Sequence, residues 1–394
     1  MLPKGWYQTT LGEVARITSG GTPDRSEPEY WEGDIPWVTT GEIQFNTIMD
    51  TAEKISNVGL KNSSAKLFPP GTLLMAMYGQ GRTRGQVAKL GIEAATNQAC
   101  AAILLNENMD VEFYYQYLSS QYEMVRELGN AGTQKNLNAG ILKKLPVPVP
   151  PYQEQRRIAG ILAVWDQAIA TCERLISISR KQMEVVSGEL LSGRRRLGVY
   201  PSWQSRPISE MIVESRVLGT RGDVAKKITV KLYGKGVIGK SEKRLGSEST
   251  QYYQRSAGQF VYSKLDFLNG AFGLIPESLD GYESTLDLPA FDFSEEVDPG
   301  WFLQYVSREN FYTGQLGLAN GGRKARRVNP TDFLRLAILA PCLEEQASIS
   351  SVLECFAKEV VALERHLELL RKEKAVLLVD LIAGKRLVKV KEPA

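Results

Sequence analysis

Histidine is almost missing from this 394-residue chain, and its scarcity removes whole classes of chemistry. A Ser-His-Asp or Cys-His hydrolase would have to use the single His366. That residue lies in "ALERHLELLRKEK", a charged helical segment with no Gly-bounded nucleophile turn, and is expected on a helix surface. Cysteine is also sparse: Cys100, Cys172, Cys342 and Cys355 are scattered and form no CxxC pair. That spacing argues against a disulfide framework or a zinc site and fits a reducing, cytoplasmic setting. No apolar run approaches the ~18 residues of a membrane span, and the polar opening "MLPKGWYQTT" does not read as a signal peptide. Nor does any Asp-x-Lys or Glu-x-Lys triplet occur, which weakens a nuclease reading. Charge of either sign is close to balance at +3, so a nucleic-acid site would have to be a local patch.

One motif lookalike points the same way. "VPPY" (Val149 to Tyr152) approaches the Asn/Asp-Pro-Pro-Tyr of amino-methyltransferases, but Val149 cannot hydrogen-bond a target amine. No glycine-rich cofactor loop follows a strand upstream of it. Catalytic residues, metal ligands and a cofactor of the chain's own are therefore not expected.

What is present is a long internal repeat. Leu145 to Arg195 aligns without a gap onto Leu336 to Arg386, at an offset of 191 residues throughout. Identities include Pro150/Pro341, Glu154/Glu345, Gln155/Gln346, Ile158/Ile349, Glu173/Glu364, Arg174/Arg365, Arg180/Arg371 and Gly193/Gly384. Fainter echoes precede each copy, Trp6 with Trp203 and "FYYQYLSS" with "WFLQYVSR". The plan is A–B–A′–B′, with segments 1–150, 151–197, 198–340 and 341–394.

Each B segment reads as one long helix. Alternating steps of four and three join Ile158, Leu162, Trp165, Ile169, Cys172, Ile176, Ser179, Met183, Val186 and Leu190, with only Ser179 breaking the apolar seam. The second seam runs Ile349, Leu353, Phe356, Val360, Leu363, Leu367, Leu370, Lys374, Leu377 and Leu381, broken only by Lys374. A 3.5-residue average is the coiled-coil period, and two seams of equal length predict mutual pairing. Prolines before the helices and Gly193 and Gly384 after them are start and stop signals. The A segments instead hold short β-like runs, such as "GTLLMAMYG", "QACAAILL", "GQFVYSKLD" and "PAFDF", between Gly, Asn, Asp and Pro. The fold class expected is α+β: two repeated domains with mostly antiparallel sheets, joined by two long antiparallel coiled-coil helices.

Two features of A′ invite a functional reading. "GKGVIGKS", Gly234 to Ser241, fits the P-loop pattern, and "KKITVKLY" before it alternates like a strand. The stretch after it has no apolar stripe from which to build the required helix. The second feature is charge. From Arg221 to Lys264 the chain carries ten Lys/Arg against three Asp/Glu, with tyrosines interleaved. Candidate contacts there are Lys231, Lys235, Lys240, Lys243, Arg244, Tyr252 and Tyr253. "GGRKARR" (Gly321 to Arg327) adds Arg323, Lys324 and Arg326. In A, the corresponding polar loop offers Gln134 and Lys135, and "YGQGRTRGQ" offers Gln80, Arg82 and Arg84. Arg, Gln and Asn on Gly-rich loops can read base edges, while Lys and hydroxyls hold phosphates.

On these residues the chain resembles the specificity (S) subunit of type I restriction–modification systems. The resemblance covers nearly the full length. It rests on "WYQTTLGEVARITSGGTP", "IPWVTTGEI", "ATNQACAAI", the "GQFVYSKLDFLNGAFGLIPESLDGYESTLDLPAF" stretch, and the proline-to-"EQ" helix starts used twice. It implies a non-catalytic reader of double-stranded DNA with two target-recognition domains, each reading half of a bipartite, asymmetric target. It also implies that the helices set the spacing and dock two methyltransferase (M) subunits, with two restriction (R) subunits joining. S-adenosylmethionine, ATP and magnesium would then reside on those partners. Two other readings stand beside it: a P-loop nucleotide-binding protein, and a coiled-coil scaffold that binds no DNA.

Overall fold

The computed structural model describes residues 3–79, 82–128, 136–241, 246–314, 319–320 and 327–386. The chain divides into two units, Met1–Arg174 with Arg365–Ala394, and Leu175–Glu364. Each unit holds one α+β head and part of both long helices.

In the first unit, a five-stranded sheet has the order Ala15–Ser19, Cys100–Leu105, Leu73–Ala76, Val87–Leu90, Thr47–Ile48. Its central strands are apolar at successive positions, because both faces are covered. Leu73, Met75, Ala101 and Ile103 point into one core with Phe113, Tyr114, Ile158 and Leu162. Leu74, Ala76, Cys100 and Ala102 point into the other, with Val38 and Phe68. That two-residue alternation is the strand period. A four-stranded sheet, Glu53–Ile55, Ile35–Val38, Ala94–Thr96, Leu67–Phe68, completes the head. The "SGGTP" glycines allow its close approach: a Cβ on Gly20 would lie 1.9 Å from the Thr96 carbonyl oxygen, and one on Gly21 2.1 Å from Ser64 Oγ.

The second head is built on the sheet Ile212–Ser215, Ala290–Phe293, Phe260–Tyr262, Phe272–Leu274. Its core is a set of fully buried rings, Phe260, Tyr262, Phe267, Phe272, Phe291, Phe302 and Phe333. Tyr262 stacks on Phe291 at 5.7 Å, and its hydroxyl donates to the Val328 carbonyl at 3.2 Å, so the polar end of the ring is also satisfied. A three-stranded sheet (Leu218–Arg221, Gln251–Gln254, Glu283–Ser284) and the hairpin Ile228–Val230/Val237–Gly239 are inserted between its strands in sequence order. Among the described residues the strand pairings are antiparallel apart from Trp37 with Ala95 and Thr47 with Lys89.

The repeat is reproduced in hydrogen bonds. Tyr7–Thr10 pairs with Pro146–Val149 in one unit, and Gln204–Pro207 with Ala337–Ala340 in the other, in matching register. Leu11 N donates to Leu145 O at 2.8 Å, and Ile208 N to Leu336 O at 2.7 Å. The indole of Trp6 donates to Glu154 at 2.8 Å, and that of Trp203 to Glu345 at 3.0 Å. The "EQ" helix start has a clear job. Gln155 Oε1 accepts from Asp110 N (2.8 Å) while its amide donates to Pro150 O (2.9 Å), and Gln346 does the same with Asp298 N (2.9 Å) and Pro341 O (3.0 Å). Asp110 and Asp298 in turn cap the head helices Val111–Ser120 and Pro299–Val306. A buried amide thus ties each long helix to its head.

The long helices are Tyr152–Leu190 and Leu343–Ile382. No seam position is exposed on either. Gly193 and Gly384 end them at φ +72° and +66°. Glu173 pairs with Arg371 (2.6 Å) in the first unit, and the repeat-related Glu364 pairs with Arg180 in the second. One partner number rises as the other falls, so the helices run antiparallel. Both residues that break the seam are accommodated: Ser179 is small and buried, and Lys374 pairs with Asp166.

Candidate nucleic-acid interface

The loop between Leu73–Ala76 and Val87–Leu90 carries Arg82 and Arg84. Arg82 is exposed, while its carbonyl accepts from the Tyr122 hydroxyl. Arg84 is half-buried and donates to the Arg126 carbonyl at 3.2 Å. Gly85 packs the loop against the same helix, Tyr122–Glu127, where a Cβ would meet Arg126 Cγ at 3.1 Å. The Met77 carbonyl accepts from Leu137 N at 3.0 Å, bringing the end of the polar loop to this one. Arg82 is thus presented outward by a braced loop, whereas Arg84 is part of the brace. Gln80, Gln134 and Lys135 lie outside the described residues.

In the second head, "GKGVIGKS" is a hairpin turn and a strand. Val237–Gly239 pairs antiparallel with Ile228–Val230, and Lys240 and Ser241 are not helical. A phosphate loop needs converging, unengaged amides. Here Tyr233 N donates to Asn269 O (2.9 Å), Gly234 N to Gly270 O (2.8 Å) and Lys240 N to Lys227 O (2.7 Å). The P-loop reading is therefore corrected: the letters match, but the stretch forms a hairpin, and its Gly234 and Lys240 amides are already bonded elsewhere.

Lys231, Lys235 and Lys240 are exposed around this hairpin. Tyr252 and Tyr253 are half-buried on the strand Gln251–Gln254, under the cations of Lys227 (5.4 Å) and Arg255 (5.7 Å) respectively. Lys227 and Arg255, two of the ten cations in the basic run, are buried. Arg255 donates to Ser284 Oγ (2.8 Å), Ser215 O (2.8 Å) and Leu288 O (3.3 Å), and burial pulls its pKa down to about 10. It ties three chain segments together and is unavailable to a ligand. Lys243, Arg244, Arg323, Lys324 and Arg326 lie outside the described residues. Among the described residues no group of three or more His, Cys, Asp and Glu could hold a metal, and no helix is long and apolar enough to cross a membrane.

Two hollows lie on the helices, one in each unit, and the repeat relates them. One, of about 890 Å³, is lined by Lys181, Val185, Glu189 and Arg195 among others. The other, of about 400 Å³, is lined by Lys372, Val376, Asp380 and Arg386. Each of these four pairs is separated by the same 191 residues. Val185 and Val376 are 61% and 65% exposed, although both sit on helices that bury their seams.

The fold defines a class: duplicated α+β heads on a pair of long antiparallel helices. It is shared with the crystal structure of the type I restriction–modification S subunit from M. genitalium, at TM-score 0.58 and 15% identity over 96% of both chains. Residues 3–180 match the family model of the type I restriction modification DNA specificity domain. The MjaIX specificity subunit of Methanocaldococcus jannaschii is 27% identical over 190 residues, 47% of this chain and 42% of that protein. The EcoR124I/EcoR124II specificity subunit of Escherichia coli is 28% identical over 191 residues, 46% of this chain and 47% of that protein. The chain spans less than half the length of these curated relatives in the matched stretches.

Proposed function

We propose that this chain is the DNA-reading subunit of a type I restriction–modification complex, reading a bipartite, asymmetric target with one head per half-site. The observation that carries the reading is the duplication. Two heads differ in their loops and sheets, yet each is fixed to its helix by the same buried glutamine and the same tryptophan–carboxylate bond. Conserving the joint while varying the surface suits two readers of two different sequences. The match of residues 3–180 to a DNA specificity domain supports double-stranded DNA as the ligand. Two copies of one methyltransferase subunit would seat in the two repeat-related hollows, with restriction subunits joining that assembly. Methyl transfer and cleavage would belong to those partners, which would act in the cytoplasm.

The test is methylation-site sequencing in a host free of adenine methylation. The chain expressed with a type I methyltransferase (M) subunit that assembles with it should modify one split motif. The chain alone should modify nothing. Methylation by the pure chain, or an unsplit motif, would overturn the proposal.

A further inference from the structure

The tip of the Ile228–Val230/Val237–Gly239 hairpin carries a residue with no evident reason to be large. Tyr233 has φ +60°, a left-handed backbone that bulky side chains rarely adopt and that Gly or Asn adopts readily. The conformation is held from outside: Tyr233 N and the following Gly234 N donate to Asn269 O and Gly270 O, and Lys231 N closes the loop onto Gly236 O at 2.9 Å. Gly270 permits this approach, since a Cβ there would lie 3.3 Å from Tyr233 Cα. Tyr233 is 70% exposed, more than any other exposed aromatic residue among the described residues. Lys231 and Lys235, two residues to either side, are exposed as well. A fold that holds its backbone in a disfavoured region while leaving the ring in water is presenting the ring.

We propose that Tyr233 is a stacking wedge of the second head: its ring inserts against a base step of duplex DNA while Lys231 and Lys235 hold flanking phosphates. The inference rests on the DNA-reading function proposed above and adds a contact that is neither a base-edge hydrogen bond nor a phosphate contact. Apolar and aromatic tips act this way by partly unstacking a flexible step, and stacking is tolerant of which base is met. Its energy carries no counterion release, so it leaves a signature distinct from that of the lysines.

The experiment uses the full chain assembled with its methyltransferase partner, on a duplex bearing the motif found by methylation sequencing and 2-aminopurine at steps of the second half-site. Wild type should raise 2-aminopurine fluorescence at one step. Y233A and Y233G should lose about tenfold in affinity and the fluorescence rise, with the salt slope unchanged. Y233F should keep both. K231A and K235A should each lower the salt slope by about one and keep the fluorescence rise. Y233G should melt no lower than wild type, because glycine relieves the backbone, so its loss of binding cannot be ascribed to unfolding. A wild type that binds duplex without any motif would sink the functional reading and this inference together. A wild type that reads its motif while Y233A and Y233G bind and fluoresce like it would overturn this inference alone.

Discussion

At the scale of single residues, the second head shows why charge density along a sequence is an incomplete guide to a binding surface. Lys227 and Arg255 belong to the same basic run as Lys231, Lys235 and Lys240, yet the first two are buried and the last three are exposed. Nothing local distinguishes them. Arg255 is held by Ser215, Ser284 and Leu288, which come from other strands and loops, so its fate depends on tertiary partners absent from its own neighbourhood. Lys240 is the sharpest test, because it stands where a P-loop lysine would. Lys240→Ala should leave binding of ATP with magnesium unchanged, since the amides of Gly234 and Lys240 are already bonded to Gly270 O and Lys227 O. It should weaken duplex binding evenly across sequences and lower the salt slope by about one, as loss of a phosphate contact does. Titrations of the purified chain with nucleotide and with unrelated duplexes check both halves. A saturable ATP site abolished by the substitution would restore the P-loop.

At the scale of elements, most of the architecture was legible. Periodicity gave both long helices and their seams, because a strict spacing over some forty residues leaves little else to fold into, and the flanking prolines and glycines gave their ends. The short strands were legible as apolar runs between glycines, though "KKITVKLY" yields only Ile228–Val230, since the hairpin turns at Tyr233 and Gly234. What periodicity could not supply is the partner of the seam-breaking Lys374. Its ammonium meets Asp166, whose other oxygen accepts from Gln116 of the head at 2.6 Å. The repeat solves the same position differently, with Met183 and Ala357 in place of Lys374 and Asp166. Asp166→Ala should therefore cost about 1–3 kcal/mol, the price of a largely buried ammonium left without its acceptor. The double variant Asp166→Ala/Lys374→Met, which copies the chain's own apolar solution, should recover most of that loss. Urea unfolding of the two variants decides it. A double variant as unstable as the single one would show that the ion pair is not interchangeable with packing.

At the scale of the whole molecule, the repeat makes predictions about number and length. If the related hollows seat two methyltransferase subunits, as proposed, Val185→Glu and Val376→Glu, each an outward-facing change on a helix, should each remove one of the two. The pair together should remove both, as read by mass photometry of the assembly. Two subunits retained by either single variant would dissociate the hollows from docking. Length is the stronger test of what the helices do. The ion pairs Glu173–Arg371 and Arg180–Glu364, taken with the 191-residue offset, put the midpoint of the antiparallel pair near Ile176 and Leu367. Seven residues inserted after each of these positions keep both seams facing inward, because a heptad is the repeat of the seam. At about 1.5 Å per residue the insertion adds about 10 Å to each helix, or about 3 base pairs of B-DNA at ~3.4 Å each. If the helices set the distance between the two half-sites, methylation sequencing of the insertion variant with its partner should return both half-sites unaltered and the gap between them widened by about 3 base pairs. A two-residue insertion at the same positions is the control. It turns everything beyond it by about 200° at 3.6 residues per turn, taking the apolar seam off its partner, and should abolish methylation. An active heptad variant whose gap is unchanged would show that the distance is fixed elsewhere, by the heads or by the partner subunits.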